Sequence, residues 1–177
     1  MGCLMTKGTN IDDTMEDNYT SLEQVKKLLN AGIDIFTSDT MLKRNMITRD
    51  WVVETNFNHG GNVTKITKDG RACYVTIANL PDNSVEREAF IESNGIAPCW
   101  SLNALVNTVP TERVTVKLIK NSNKADNDKK ACLAKVEFDN PGNEQIRQKK
   151  FYGENLVEAG CQMVLFYLEN KQYFTQK

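Results

Sequence analysis

The sequence predicts an α+β fold, with a mainly antiparallel sheet built from hairpins and packed by an N-terminal, a central and a C-terminal helix. Three observations predict it. Apolar residues recur at helical spacing beside capping residues in three places: "YTSLEQVKKLLNAGI", "CWSLNALVNTVP" and "GENLVEAGCQMVLFYLEN". Between them lie segments of period two and β-rich composition, joined in pairs by Asp, Asn and Gly turn signals. The two kinds of segment do not alternate regularly, which argues against a parallel β-α-β architecture.

Residues 1–18 are polar, acidic and aperiodic and read as a flexible arm, leaving 19–177 as a single α+β domain. In the first helix Thr20 and Glu23 form a T-x-x-E capping box. Leu22, Val25, Leu28 and Leu29 line one face, and Gly32 stands where a left-handed cap belongs. "TSDTMLKRN" opens on capping residues and reads as one or two helical turns. "WVVETNF" is a strand and "NHGGN" a turn. "VTKITKDGRACYVTI" is a hairpin about a two-residue Asp69-Gly70 turn, which sets Lys68 opposite Arg71, Ile66 opposite Cys73 and Thr64 opposite Val75. "VEREAFIESNG" fits either a short helix ending at Gly95 or an irregular loop. "ERVTVKLIK" and "ACLAKVEF" form a second hairpin across the polar loop 121–130. In the closing helix Leu156, Val157, Cys161, Val164 and Leu168 make a broad apolar stripe that should lie across a sheet, and Asn170 ends it.

The stretch "IAPCWSLNALVNTVP" is the structural centre of this reading. Ser101 is a natural N-cap, and Leu102, Leu105, Val106 and Val109 form an apolar helical face. Trp100 before the cap and Leu105 at the fourth helical position have the spacing of a hydrophobic staple. Pro110 stops the helix by disfavouring helical geometry at Val109, and Pro98 stiffens the approach. Cys99 then neighbours a packing device and is not a nucleophile.

Bulk properties narrow the function classes. The chain has 177 residues, room for one core. Its 22 basic and 23 acidic residues leave a net charge of −1, so no global field holds it on phosphate backbones or anionic membranes. Five cysteines, Cys3, Cys73, Cys99, Cys132 and Cys161, are widely spaced without a C-x-x-C pair, which implies reduced thiols and a cytoplasmic location. No apolar run is long enough to span a bilayer, and no membrane partner is expected. "MGCLMT" formally fits a myristoylation pattern with Cys3 beside it. Asp12, Asp13, Glu16 and Asp17 follow, which anionic lipid would repel, so the arm reads as unlipidated, with Met5 an alternative start.

Chemistry-bearing residues are sparse. The single histidine, His59, has no ligand cluster at metal-binding spacing and reads as a turn residue, so no metal or cofactor is expected. A cysteine-dependent enzyme pairing His59 with a thiol is one alternative, because such partners meet in space and not in sequence. Glu86, Glu88 and Glu92 read as a solvated helix face. Lys68 and Arg71 at a hairpin tip, with Arg147, Lys149 and Lys150 beside Phe151 and Tyr152, supply the ingredients of an RNA- or DNA-binding patch, a second alternative.

"SLEQVKKLLNAGID" followed by "TSDTM", then "PCWSLNALVNTVP" and "NLVEAGCQMVLFYLEN", resembles a family of small proteins of Bacteroidetes genomes, often in prophages and other mobile elements. That family shares, in this order, a T-x-E-Q helix start, a P-x-W-S-L-x-A-L core and an E-A-x-x-M closing helix, where this chain reads T-S-L-E-Q, P-C-W-S-L-N-A-L and E-A-G-C-Q-M, one residue longer in the first and last. The match spans about a third of the chain, and the segments Trp51–Ile77 and Asn121–Lys130 look like elaborations on it. The resemblance implies a context, a short accessory gene, and no activity, cofactor or catalytic residue. The leading expectation is a non-enzymatic module that binds a protein partner or itself.

Overall fold

The computed structural model describes residues 18–55, 63–66, 69–110, 114–120, 132–138 and 148–175. The fold is α+β. In chain order it runs α1 (Leu22–Asn30), β1 (Thr40–Arg44), β2 (Trp51–Glu54), β3 (Val63–Ile66), β4 (Ala72–Val75), α2 (Ser84–Asn94), β5 (Ile96–Cys99) and α3 (Leu102–Thr108). It continues β6 (Val114–Lys120), β7 (Cys132–Phe138), β8 (Gln148–Gly153), α4 (Leu156–Glu169) and α5 (Lys171–Thr175). Short 3₁₀ turns at Ile35–Thr37 and Ile77–Asn79 join the early elements. The strands form a sheet of order β2-β1-β5, the hairpin β3-β4 and a sheet of order β6-β7-β8, with every pairing antiparallel.

Helix α1 is capped one residue later than the sequence suggests. Ser21 is the N-cap; its hydroxyl accepts from the Gln24 N–H, and the Gln24 side chain accepts from the Ser21 N–H at 2.9 Å. Thr20 is unavailable for capping because its hydroxyl accepts from the Trp100 N–H at 3.0 Å in the buried core. At the other end Gly32 has φ +81°, and the amides of Gly32 and Ile33 donate to the carbonyls of Leu29 and Leu28, which closes a Schellman motif.

The segment expected to turn helically after Thr37 is strand β1 instead. It is the central strand of its sheet, so its backbone groups find partners on both sides, and Met41 and Leu42 project to opposite faces into two different apolar clusters. Its polar leader serves other tasks: Asp34 caps the 3₁₀ turn through the Phe36 N–H, and the Asp39 carboxylate accepts from the N–H and hydroxyl of Ser101. Tertiary pairing overrides the local capping signal.

Strand β5 is buried along its whole length and pairs Cys99 with Thr40 and Pro98 with Met41. It is an edge strand, where the missing N–H of Pro98 is tolerated. Its continuation is held by the chain before α1: the Thr20 N–H donates to the Trp100 carbonyl at 2.9 Å, and Tyr19 bridges to Ser101.

The β3-β4 hairpin is also shifted by one residue from the expected register. Ile66 pairs with Ala72, Lys65 with Cys73 and Thr64 with Tyr74, so residues 67–71 separate the last pair. An odd number of intervening residues suits a longer loop ending in one left-handed glycine, and Gly70 has φ +79°. Helix α2 forms as the helical alternative for 84–94, capped by Asn83 and closed by Gly95 at φ +66°. Arg87 of α2 donates to the Leu29 carbonyl at 2.7 Å, tying it to the end of α1.

Strand β8 was not foreseen, because "QKKFYG" is short and mostly polar; it forms because β7 offers a paired edge and α4 a covering face. Asn155 caps α4 by accepting from the Glu158 N–H at 2.8 Å. The helix then crosses all three strands of the second sheet, with the rings of Phe151 and Phe166 at 5.5 Å. Gly160 lets α3 approach: a Cβ there would stand 3.3 Å from Leu102 Cδ1. Asn170 ends α4, and Phe174 of α5 returns to the core, its ring 5.4 Å from that of Tyr167.

Candidate interaction surface

The central helix of the sequence reading is a packing centre. Trp100 and Leu105 have no solvent exposure, and both belong to the main core with residues of α1, α4 and β5. The indole N–H donates to Thr37 Oγ1 at 2.9 Å, so the buried ring leaves no polar atom unpaired. The Ser101 hydroxyl donates to Asp39 and accepts from the Ala104 N–H at 3.2 Å, which orients it as the cap of α3. Val109 ends α3 in extended backbone, as a residue before proline prefers, and Pro110 is exposed.

The two thiols beside this centre are poorly suited to nucleophilic chemistry. Cys99 is buried against Thr20, its Sγ 3.4 Å from both the hydroxyl and the carbonyl, and burial pushes its pKa up. Cys161 forms the floor of a groove of about 240 Å³ between α1 and α4, whose polar mouth includes Glu23, Lys27, Glu158 and Gln162. Burial, reinforced by Cys99 and Glu158, pushes the Cys161 thiol up to about 12 against the opposing pull of Lys27. The Lys27 ammonium is already engaged by Glu23 at 2.8 Å, a contact that raises its pKa and lowers that of Glu23. A thiol so placed stays protonated at neutral pH.

Of the basic residues singled out from the sequence, the structure describes Arg71, Lys149 and Lys150. Arg71 lies at the exposed β3-β4 tip with Asp69 at 3.5 Å, on a different sheet from Lys149 and Lys150. Those two neighbours point to opposite faces of β8. Lys149 is half-buried, its ammonium 5.6 Å over the Phe166 ring, while Lys150 is exposed on the face turned away from α4. Lys68, Arg147, His59, Cys3, the arm 1–17 and the loop 121–130 lie outside the described residues.

The sequence reading missed the β1-β2 connection, which presents the most exposed large apolar side chains among the described residues. Met46 is 78% exposed and Ile47 91%, with Val52 on the adjoining strand at 48%. The tip holding them is braced. The Asn45 carboxamide accepts from the N–H groups of Ile47 and Thr48, the Asn45 N–H donates to Asp50, and Arg49 adopts φ +69° while donating to the Asn45 carbonyl. At the base, the Arg44 guanidinium lies 4.9 Å over the Trp51 ring and pairs with Glu92 of α2. The sequence signal is "RNMITRD", an Asn turn around two adjacent apolar residues, which falls between the helical turn read over 37–45 and the strand read from Trp51 and is assigned to neither.

Among the described residues, no group of three or more His, Cys, Asp and Glu side chains gathers as metal ligands would, and no helix is long and apolar enough to cross a membrane. No protein-family model matches the chain, and neither the curated proteins nor the solved structures contain a match to it.

Proposed function

We propose that this chain is a non-enzymatic binding module that acts through a protein partner docked on the β1-β2 tip. The observation that carries the proposal is the adjacent pair Met46 and Ile47, 78% and 91% exposed on a turn fixed by side-chain and backbone hydrogen bonds. Single exposed apolar residues need no explanation, but an ordered apolar tip is the form a docking knob takes. Such a tip loses little conformational entropy on binding, so more of the apolar contact survives as affinity. Lys43 and Arg49 stand exposed beside it, which selects a partner with an apolar socket rimmed by acidic groups. The burial of Cys99 and Cys161 supports a binding role over thiol chemistry. In this proposal the module is a cytoplasmic accessory protein of a phage or other mobile element, the context its sequence resemblance implies.

The test places a photo-crosslinking residue at position 47 and, as a control, at exposed Glu88 on α2, each in the full chain in lysate of the source cells. A discrete adduct from position 47 alone, competed by wild-type protein and not by Ile47→Asp, is expected. Equal labelling from both positions, or no adduct, overturns the proposal. An adduct consisting only of a second copy, with a dimer in light scattering, replaces the partner by self-association.

A further inference from the structure

The two edges of the first sheet differ. At one, the Arg44 N–H donates to the Gly95 carbonyl at 2.8 Å, and Leu42 and Thr40 continue that ladder, so β5 turns the backbone of Ile96, Pro98 and Trp100 outward. Pro98 has no N–H to offer there, and the Trp100 carbonyl already accepts from Thr20 at 2.9 Å, so this edge is blocked. At the other, the Asn45 N–H donates to the Asp50 carbonyl at 2.8 Å, which makes Lys43 with Val52 and Met41 with Glu54 the hydrogen-bonded pairs of β1 and β2. Trp51 and Val53 therefore direct their N–H and C=O groups away from β1, and among the described residues none receives them.

An open edge recruits strands, and its own side chains set which strand it accepts. Trp51 and Val53 pack on the main core, so by alternation Asp50, Val52 and Glu54 share the opposite face, with Val52 48% exposed between two carboxylates. Among the described residues neither carboxylate has a hydrogen-bond or ion-pair partner. Pairing two copies of the edge through Trp51 and Val53 would set Asp50 against Glu54 of the second copy, twice, and like charges directly opposite destabilise a sheet. We infer that β2 is a strand-addition site for an extended segment of a partner protein whose alternate residues are basic, apolar and basic. The cationic residues lie opposite Asp50 and Glu54 and the apolar one opposite Val52, while the residues between them exchange backbone hydrogen bonds with Trp51 and Val53. Main-chain bonds supply the attachment, and the exposed face of β2 supplies the selection. Lys43 stands on the same face but pairs with Val52 from β1, one strand further from the incoming segment. The site adjoins the β1-β2 tip and does not rest on it, since the tip is reached through side chains and the edge through backbone.

The test titrates the full, isotope-labelled chain with the end-capped peptide Ser-Lys-Thr-Val-Thr-Lys-Ser and reads amide hydrogen exchange by NMR. With peptide at about ten times its Kd, exchange at Trp51 and Val53 should slow roughly tenfold, while Val52, whose amide already donates to Lys43, should change by less than about twofold. Methylating the backbone nitrogens of both threonines removes the donors to the Trp51 and Val53 carbonyls and should abolish binding. Methylating the nitrogen of the valine, which faces away from β2, should leave the affinity within about threefold. Asp50→Lys with Glu54→Lys should weaken the lysine peptide roughly fivefold or more and shift the preference to the same peptide with glutamates in place of its lysines. Circular dichroism and melting check the fold of that variant, and the methylated peptides carry the test if it is unstable. Ile47→Asp should leave the affinity within about twofold, which separates this site from the tip. Absence of binding at millimolar peptide, protection that falls elsewhere than on Trp51 and Val53, or equal binding of the glutamate peptide overturns the assignment. A dimer in light scattering whose Trp51 and Val53 amides are protected without peptide overturns it in favour of a second copy.

Discussion

Replacing Trp100 by alanine tests the claim that this residue organises the fold. The side chain has no solvent exposure and contacts a core built from α1, α3, α4 and the first sheet. An indole buries about 150–250 Å², which at about 25 cal/mol per Å² amounts to roughly 4–6 kcal/mol as an upper estimate. Large-to-small core substitutions of aromatic residues cost about 3–5 kcal/mol, the spread reflecting how far the site collapses. The substitution also removes the donor to Thr37 Oγ1, although Thr37 keeps its own bond to the Asp34 carbonyl at 2.7 Å. The expected loss is therefore about 4 kcal/mol, a large share of the 5–15 kcal/mol that typically holds a domain together. Trp100→Phe separates the two contributions, since it keeps a ring and loses only the N–H and part of the volume; its expected cost is about 1–2 kcal/mol. Urea unfolding followed by circular dichroism at 222 nm reads both. A loss below about 1 kcal/mol for Trp100→Ala, at an unchanged m-value, would refute the view that this ring anchors the core.

Thr20→Val keeps the shape of a side chain that is 1% exposed but strips the acceptor from the Trp100 N–H, so a loss of about 1–3 kcal/mol is expected, and Thr20→Ser should recover most of it in the same unfolding assay. At Gly153 an added Cβ would lie 2.7 Å from the Ala159 nitrogen and 2.9 Å from the Asn155 carbonyl oxygen, backbone atoms that cannot yield cheaply. Gly153→Ala should therefore cost about 1–3 kcal/mol. At Gly160 the nearest atoms are leucine methyl ends at 3.3 and 3.5 Å, and alanine's helix preference offsets the crowding, so Gly160→Ala should stay within about 1 kcal/mol of wild type by the same urea midpoints. Burial pushes the Cys161 thiol from its ordinary value of about 9.0 up to about 12 in the folded chain. Between those values the folded state holds the extra proton, so stability is retained below pH 9 and falls as pH rises, by about 1.4 kcal/mol per unit for this group. Unfolding free energies at pH 8, 9 and 10 should fall less steeply for Cys161→Ala than for wild type; parallel slopes would count against burial as the cause.

Local chemistry made most helices legible. Ser101, Gly32 and Gly95 act through contacts within a few residues, so cap and stop signals could be read directly from their neighbours. The errors arose where a local signal was outbid by a distant partner. Thr20 resembles a cap, but Trp100 claims its hydroxyl across 80 positions. "TSDTM" resembles a helix start, but pairing with β2 and β5 makes it the middle of a sheet. The β3-β4 register slipped by one because a two-residue and a longer turn about Asp69-Gly70 differ by little in the sequence and invert every facing pair.

The candidate surfaces divide along the same line. The order and kind of the main helices, the α+β class and the central place of "PCWSLNAL" were determined by the sequence alone, because apolar periodicity and capping are properties of short segments. Only the tertiary structure decided that Lys149 and Lys150 part to opposite faces, and that Lys150 stands in backbone register with Lys135 and, through it, with Lys117, 15 and 33 positions earlier in the chain. A cross-strand row depends on pairing between strands remote in sequence, and no local pattern encodes it.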